Sequence, residues 1–259
     1  MIKKNFSIVI YFLITILILV LSIFVYRIIT HISYLRQDDK ITLSEYTGER
    51  INSSSSIIPP KIATYINPNY DSSIVGLSSA DVVFEFLSSS HGMTYKAIYS
   101  QEAAKNVSPK VELQEYFSSW LPKFNFSSDR LMSDIKGENA TSIFITFNED
   151  SSSNFLYEDG EYYHFRGLNV DKDDDAYVKL SNIIVQFIHG SIISDETLTS
   201  SETHGTGLLF SNGKSQDIDW TREDNSAIKI SDKVSGQLSL APGPTWWIFI
   251  DKDCSVAYD

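Results

Sequence analysis

The chain has a single cysteine, Cys254, in 259 residues, so an internal disulfide is excluded. The neighbours in DKDCSVAYD are acids and offer no base, so Cys254 reads as a small half-buried strand residue, not a nucleophile. Basic residues are scarce: 21 Lys and Arg stand against 33 Asp and Glu, a formal net charge of -12. They do not cluster beyond the N-terminal segment, so the footprint of a DNA- or RNA-binding protein is missing. An acidic chain is also repelled by anionic lipid and anionic wall polymer unless cations bridge them. The five histidines show no i+3 or i+4 spacing and no cysteine assists them, so no zinc site and no cofactor is expected. GxSxG is absent. His204-Gly205-Thr206-Gly207 leads into the strand-like LLF, which suits a bulge or turn better than a phosphate cradle.

What the chain does have is one long apolar run. Ser7 to Tyr26 reads SIVIYFLITILILVLSIFVY, 20 residues without a charge. As a helix it would be about 30 Å long, the thickness of a bilayer's hydrocarbon core. It exceeds the usual h-region of a signal peptide, and no small-x-small cleavage site follows it. It shows no polar face, as a core helix would. The sequence therefore predicts an uncleaved anchor. Lys3 and Lys4 precede it and the acidic remainder follows it, which predicts a cytoplasmic N-terminus and an extracytoplasmic C-terminal domain.

Residues 1–37 are thus read as tail and transmembrane anchor, and 38–61 as stalk and linker, with INSSSSIIPPK as the linker signal. The rest is 13% aromatic and 42% hydrophobic for the chain as a whole, enough for a packed core. The fold class expected is α+β: an α/β part over 62–150, then a β-rich, sandwich- or roll-like part over 151–259. IATYIN, DVVFEFL, TYKAIYS and TSIFITF read as strands, with a helical turn at SSAD. VELQEYFSSWLPKF has helical spacing up to Pro122. Asp159-Gly160 and Asn212-Gly213 each sit between alternating arms, the pattern of two-residue hairpins. NIIVQFIHGSII, AIKISD, GQLSLA and TWWIFID complete the strands.

Several residue groups carry chemistry. Asp81 and Glu85 are four apart, and on a helix they would pair as carboxylates for acid/base work with His91 close by. The blander reading has Asp81 capping or bending the chain and Glu85 on a strand face. Trp246 and Trp247 follow the rigid PGPT turn and on a strand must point to opposite faces. One is expected in the core, the other partly exposed, where with Trp220, Tyr162 and Tyr163 it would form an aromatic binding surface. Core packing alone is the competing reading. NVDKDDDAY lacks Gly and Glu at the sixth and twelfth positions of a calcium loop, where Ala176 and Asn182 stand, and reads as a solvated acidic loop.

GLSSADVVFEFL with TYKAIYS, FLYEDGEYYHFRG, NIIVQF, GTGLLFSNGKSQDIDW and SGQLSLAPGPTWWIFI, in that order, resemble the YerB-like bacterial cell-envelope lipoproteins, a family without an assigned activity. The resemblance covers most of Ile58 to Ile250 and is best from about Phe155. It implies an extracytoplasmic, membrane-attached protein with an α/β N-terminal and a β-rich C-terminal part. There are departures. The family's lipobox cysteine is replaced by the hydrophobic run. SSSHGMTYK stands where the family has an acid, two glycines and a Thr-Arg pair, and SPKVELQEYF lacks the arginines of the family's Gly-Pro-Val-Arg-Ser-Ala-Arg-like segment.

Together these readings predict a membrane-anchored binding or scaffolding protein, a non-catalytic subunit of an envelope complex. Its partners are the membrane, through residues 7–26, and an envelope protein or cell-wall component. The alternative is a cell-wall-active hydrolase or transferase using the carboxylate pair. The candidate binding residues are Asp81, Glu85, His91, Trp220, Trp246 and Trp247.

Overall fold

Period-two alternation of apolar and polar residues dominates this chain, and the computed structural model is correspondingly built from strands. It describes residues 17, 19–27, 42–51, 59–69, 72–88, 90–116, 121–127, 135, 137–173, 176–189, 198, 202–223, 226–236, 238–251 and 253–259. Of the expected anchor, residues 17 and 19–27 are helical and exposed, and the remainder lies outside the described residues. Among the described residues no helix is long and apolar enough to cross a membrane, so the structure lends the expected transmembrane helix no support. Of the stalk and linker, 38–41 and 52–58 also lie outside them.

Leu43–Asp259 is one compact unit. Its main strands are β1 (Lys61–Ile66), β2 (Val82–Ser88), β3 (Gly92–Tyr99), β4 (Ser142–Asn148), β5 (Ser151–Glu158), β6 (Glu161–Arg166), β7 (Asn182–Phe187), β8 (His204–Ser211), β9 (Lys214–Thr221), β10 (Lys229–Asp232), β11 (Thr245–Ile250) and β12 (Ser255–Tyr258). The nine-stranded sheet runs β10-β9-β8-β7-β11-β2-β3-β1 and ends on Gln114–Glu115. The smaller sheet runs from Asn169–Val170 through β6, β5 and β4 to β12, with Lys179–Leu180 also paired to β6. The expected division at residue 150 does not survive. The large sheet takes β1 to β3 from before it and β7 to β11 from after it, and β4 pairs with β5 and β12 across it.

Both hairpin signals hold. Asp159 and Gly160 have φ of 53° and 87°, and Asn212 and Gly213 of 52° and 69°. This is the left-handed geometry of a two-residue turn whose twist matches the strands. The helical turn at Leu77–Ser79 runs into β2 as expected. The helix expected over 111–121 does not form over its described residues 111–116, where Gln114–Glu115 is a short strand against Lys61–Ile62; residues 117–120 lie outside the described residues. A helix forms earlier, α1 at Gln101–Asn106, where the Ser100 hydroxyl accepts from the Ala103 amide and QEAAKN offers good helix formers. Among its described residues GQLSLA contributes a bridge, Leu240 with Phe126.

β11 lies between β7 and β2 and is parallel to both. A strand covered on both faces reads as a continuous apolar run, and every residue of TWWIFI is buried. Its alternate residues feed two cores. Trp246, Ile248 and Ile250 join Ile143, Ile145, Phe155 and Tyr162 of the smaller sheet. Trp247 and Phe249 join Phe84, Phe86, Ile218 and Trp220, with loop residues Leu240, Phe124 and Phe126 packed over them. The unit is thus a β-sandwich on one face of the large sheet and a loop-covered layer on the other.

Candidate functional site

The entrance to β2 borders a cleft of about 450 Å³. Ser44, Thr47 and Arg50 line one side, Ser78 to Asp81 another, and Ser100, Glu102 and Asn106 of the α1 region a third. Turn chemistry shapes the first wall: the Ser44 hydroxyl accepts from the Tyr46 and Thr47 amides at 3.3 Å each. Asp173 shapes the second, accepting from the Gly76 amide at 2.7 Å and the Ser78 hydroxyl at 2.9 Å.

Asp81 lines this cleft and is only 8% exposed. Its carboxylate accepts from the Ser100 amide, and its own backbone ties β2 to β3 and β11 through Ile98 and Thr245. Burial pushes its carboxyl up to about 6; Ser100 opposes the shift and the charge of Glu49 adds to it. A carboxyl held near neutrality in an open cleft can bind a polar group or exchange a proton.

Glu85 is 0% exposed and lies on a strand, four residues beyond Asp81. Four strand residues span roughly 13 Å. That exceeds the separation of about 9.5 Å at which two carboxylates still act on one bond. Asp81 and Glu85 are therefore not a pair, and Glu85 lies on a strand face as the blander reading has it. His91 is exposed in the turn after β2, its Nδ1 2.7 Å from the Ser90 hydroxyl. The length of β2, roughly 20 Å, separates it from Asp81.

Trp246 and Trp247 do face opposite ways, but neither reaches the surface. Trp246, Trp247 and Trp220 are 0%, 1% and 1% exposed. The Trp247 indole N–H donates to Gln186 Oε1 at 3.1 Å, and that of Trp220 to the carbonyls of Phe187 and Thr206, both at 3.1 Å. The second layer of loops buries the face that an isolated sheet would leave open, so the expected aromatic surface does not form around Trp220, Trp246 or Trp247. Tyr162 is buried with them.

Trp246 instead leads to a polar network that the sequence reading missed. Its indole N–H donates to Glu85 Oε2 at 2.6 Å, and its ring lies 4.1 Å from the His164 ring, centre to centre. His164 Nε2 is 2.7 Å from Ser153 Oγ, and its Nδ1 is 2.9 Å from Asp171 Oδ2. Arg166 donates through Nε to Asp171 Oδ1 at 3.0 Å, and onward to the carbonyls of Asn69 and Ser72. Asp171 is held below the ordinary carboxylate range: His164 and Arg166 outweigh its burial. It is a buried ion, not part of a solvated loop; Asp174 and Asp175 lie outside the described residues. The available signal was the alternation of EYYHFR, which puts His164 and Arg166 on the same inward face as Tyr162.

Ser153, His164 and Asp171 have the connectivity of a nucleophilic triad. Ser153 and His164 are wholly buried between the sheets, however, leaving no room for a substrate at the hydroxyl. Among the described residues no group of acidic, histidine or cysteine side chains is arranged to hold a metal ion.

No curated protein matches the chain in sequence. Residues 143–247 match the C-terminal domain of a protein family of unknown function, DUF3048. The chain is similar in structure to the YerB protein from Bacillus subtilis, with a TM-score of 0.60 and 15% identity over 83% of this chain and 99% of that one. That likeness bears on the fold, and the family match falls on β4 to β11, the part that supplies Ser153, His164, Arg166, Asp171 and Trp246. The chain is thus YerB-like in fold and carries, over residues 143–247, a match to a domain family of unknown function.

Proposed function

We propose that this chain is a membrane-anchored, extracytoplasmic binding or scaffolding protein of a bacterial cell envelope, serving as a non-catalytic subunit of a membrane or cell-wall complex. The apolar run of residues 7–26, with Lys3 and Lys4 before it, supports the anchor and its orientation. One observation supports binding over catalysis. Ser153, His164 and Asp171, the groups with catalytic connectivity, are sealed between two sheets, while the accessible cleft at Asp81 is lined by hydroxyls, an amide and charges. Such a lining recognises a polar group on a partner.

A photo-crosslinking residue at Ser79 or Asn106, used in native membranes and followed by mass spectrometry, tests the reading. A stoichiometric protein attached at the cleft is the expected result. Glycan fragments there would move the reading to the cell wall, and a cleft that captures nothing while the protein remains active in the envelope would overturn it. The competing hydrolase or transferase keeps one supporting observation, the carboxyl of Asp81 raised to about 6. Glu85 lies elsewhere, so such an enzyme would use Asp81 without it. Loss of a wall-cleavage phenotype in Asp81→Asn is its test.

A further inference from the structure

Asp81 is 8% exposed, yet the groups acting on its carboxylate are neutral or negative. Ser100 supplies its hydrogen bonds, and the charge acting on it, Glu49, has its own sign. Among the described residues no Lys, Arg or His pairs with it. A buried charge is ordinarily paired, because an opposite charge must offset the water it has lost. Asp171 follows that rule, with Arg166 at 2.8 Å. Asp81 has an open cleft in that place. Its carboxyl, raised to about 6 by burial, is consistent with the lack of a counter-charge.

The cleft walls hold few backbone donors for a ligand. The amides of Thr47, Glu49, Ser79, Asp81, Ser100 and Ala103 all donate within the protein, to hydroxyls, to carbonyls or to Asp81 itself. A cradle for phosphate or carboxylate would need such groups turned toward its ligand. Among the described lining residues Arg50 is the one cation, against Glu49, Asp81 and Glu102. The cleft therefore meets its occupant with negative charge and disfavours an anion. Ile51, Ala80, Ala103 and Pro244 add aliphatic wall. Lysine and arginine match that combination, since each lays a methylene stem along apolar surface and carries its cation at the tip.

Granted that the cleft is the docking site of the proposed function, we propose that it receives a basic side chain, lysine or arginine, of a protein partner. The stem lies against Ile51, Ala80, Ala103 and Pro244, and the cation supplies the counter-charge that Asp81 lacks. Glu49 and Glu102 add attraction from the walls, and the hydroxyls of Ser44 and Thr47 adapt to the remaining N–H groups. Because the carboxylate has already lost most of its water when the domain folds, the partner does not have to strip it on docking, so the pairing favours association more than one at the open surface would.

The test is nuclear magnetic resonance on the full-length chain in detergent solution, titrated with blocked Gly-X-Gly peptides in which X is lysine, arginine, norleucine or glutamate. The amides of Ser79, Ser100 and Ala103 report on the cleft. Saturable shifts with the lysine or arginine peptide, and none with the other two, are expected. In Asp81→Asn the affinity should fall about tenfold, the loss of one charge-assisted hydrogen bond, with the amides of β5 and β7 unshifted as the check on folding. Glu102→Lys changes a more accessible charge on α1 and cannot act by emptying a core; it should weaken binding about threefold. Norleucine binding as well as lysine, or no response to any of the four peptides, would overturn the inference. Glucosamine binding more tightly than the lysine peptide would also overturn it, by placing the cation on a glycan. These failures leave the cleft standing as a docking site. A cleft that captures nothing from Ser79 or Asn106 in native membranes removes the docking site itself, so the two failures are told apart.

Discussion

The indole N–H of Trp246 donates to Glu85 Oε2 across 2.6 Å, joining two neighbouring parallel strands at the centre of the large sheet. Trp247, one residue on, turns the other way and donates to Gln186 Oε1 at 3.1 Å. Each tryptophan can be buried because each polar edge has a partner, and an unpartnered indole N–H would cost about 1–3 kcal/mol. The pair anchors two cores from one strand.

Glu85 gives the first prediction. Burial raises its carboxyl above the ordinary 4.5; His164 and the Trp246 N–H oppose the shift without cancelling it. A carboxyl with a raised folded value binds protons more tightly folded than unfolded. Its contribution to stability is therefore present below 4.5 and is lost as pH rises through the folded value. Glu85→Gln keeps an acceptor for Trp246 and removes the ionisation. Urea unfolding followed across pH should show a shallower fall in stability toward neutral pH in the variant than in the wild type.

Asp171 has the opposite sign. Its folded value is lowered, so its contribution is present above 3.8 and disappears as pH falls through the folded value. Asp171→Ala leaves Arg166 buried and uncompensated, at a cost of about 3–5 kcal/mol. Denaturant unfolding should register that loss at neutral pH. A change below about 1 kcal/mol, the level of a surface pair, would mean that the ion pair is open to water.

Asp81 separates binding from folding. Its carboxyl is raised to about 6, so its contribution to stability is present below 3.8 and lost as pH rises through about 6. Asp81→Asn should therefore leave stability at neutral pH unchanged or improved, while capture of a partner at the cleft falls. Calorimetric melting and the crosslinking yield at Ser79, measured on the same preparation, check the two halves.

Gly205 marks a close approach. A Cβ there would lie 2.7 Å from Trp220 Nε1. Gly205→Ala should push the indole off its two carbonyl acceptors and destabilise the chain by about 1–3 kcal/mol. Trp220 is the fluorophore nearest the change, so a shift in tryptophan emission should accompany the lowered unfolding midpoint.

Short-range signals were legible and long-range ones were not. The Asp159-Gly160 and Asn212-Gly213 hairpins follow from left-handed backbone demands that a dipeptide expresses by itself. The helical turn before β2 and the opposite facing of Trp246 and Trp247 are equally local. The helix assigned to 111–121 was misplaced because an apolar spacing can serve helix or loop packing, and Gln114–Glu115 finds an edge partner in β1. His164 was passed over because no metal or nucleophile neighbour stands beside it in sequence; its partners come from β5, from the residue after Val170, and from strands of the other sheet.

The sequence by itself determined strand-rich class, the hairpin turns, the acidic balance and the apolar run at 7–26, since each depends on neighbouring residues or on composition alone. Tertiary structure alone decided the rest. It set Asp81 in an open cleft and Glu85 in a buried core, although four positions separate them. It buried both faces of β11, so two adjacent tryptophans became two cores and no surface. The reason is the same in each case: burial, and with it the strength of every charge, is fixed by which sheet or loop covers a strand, and that cover comes from distant parts of the chain.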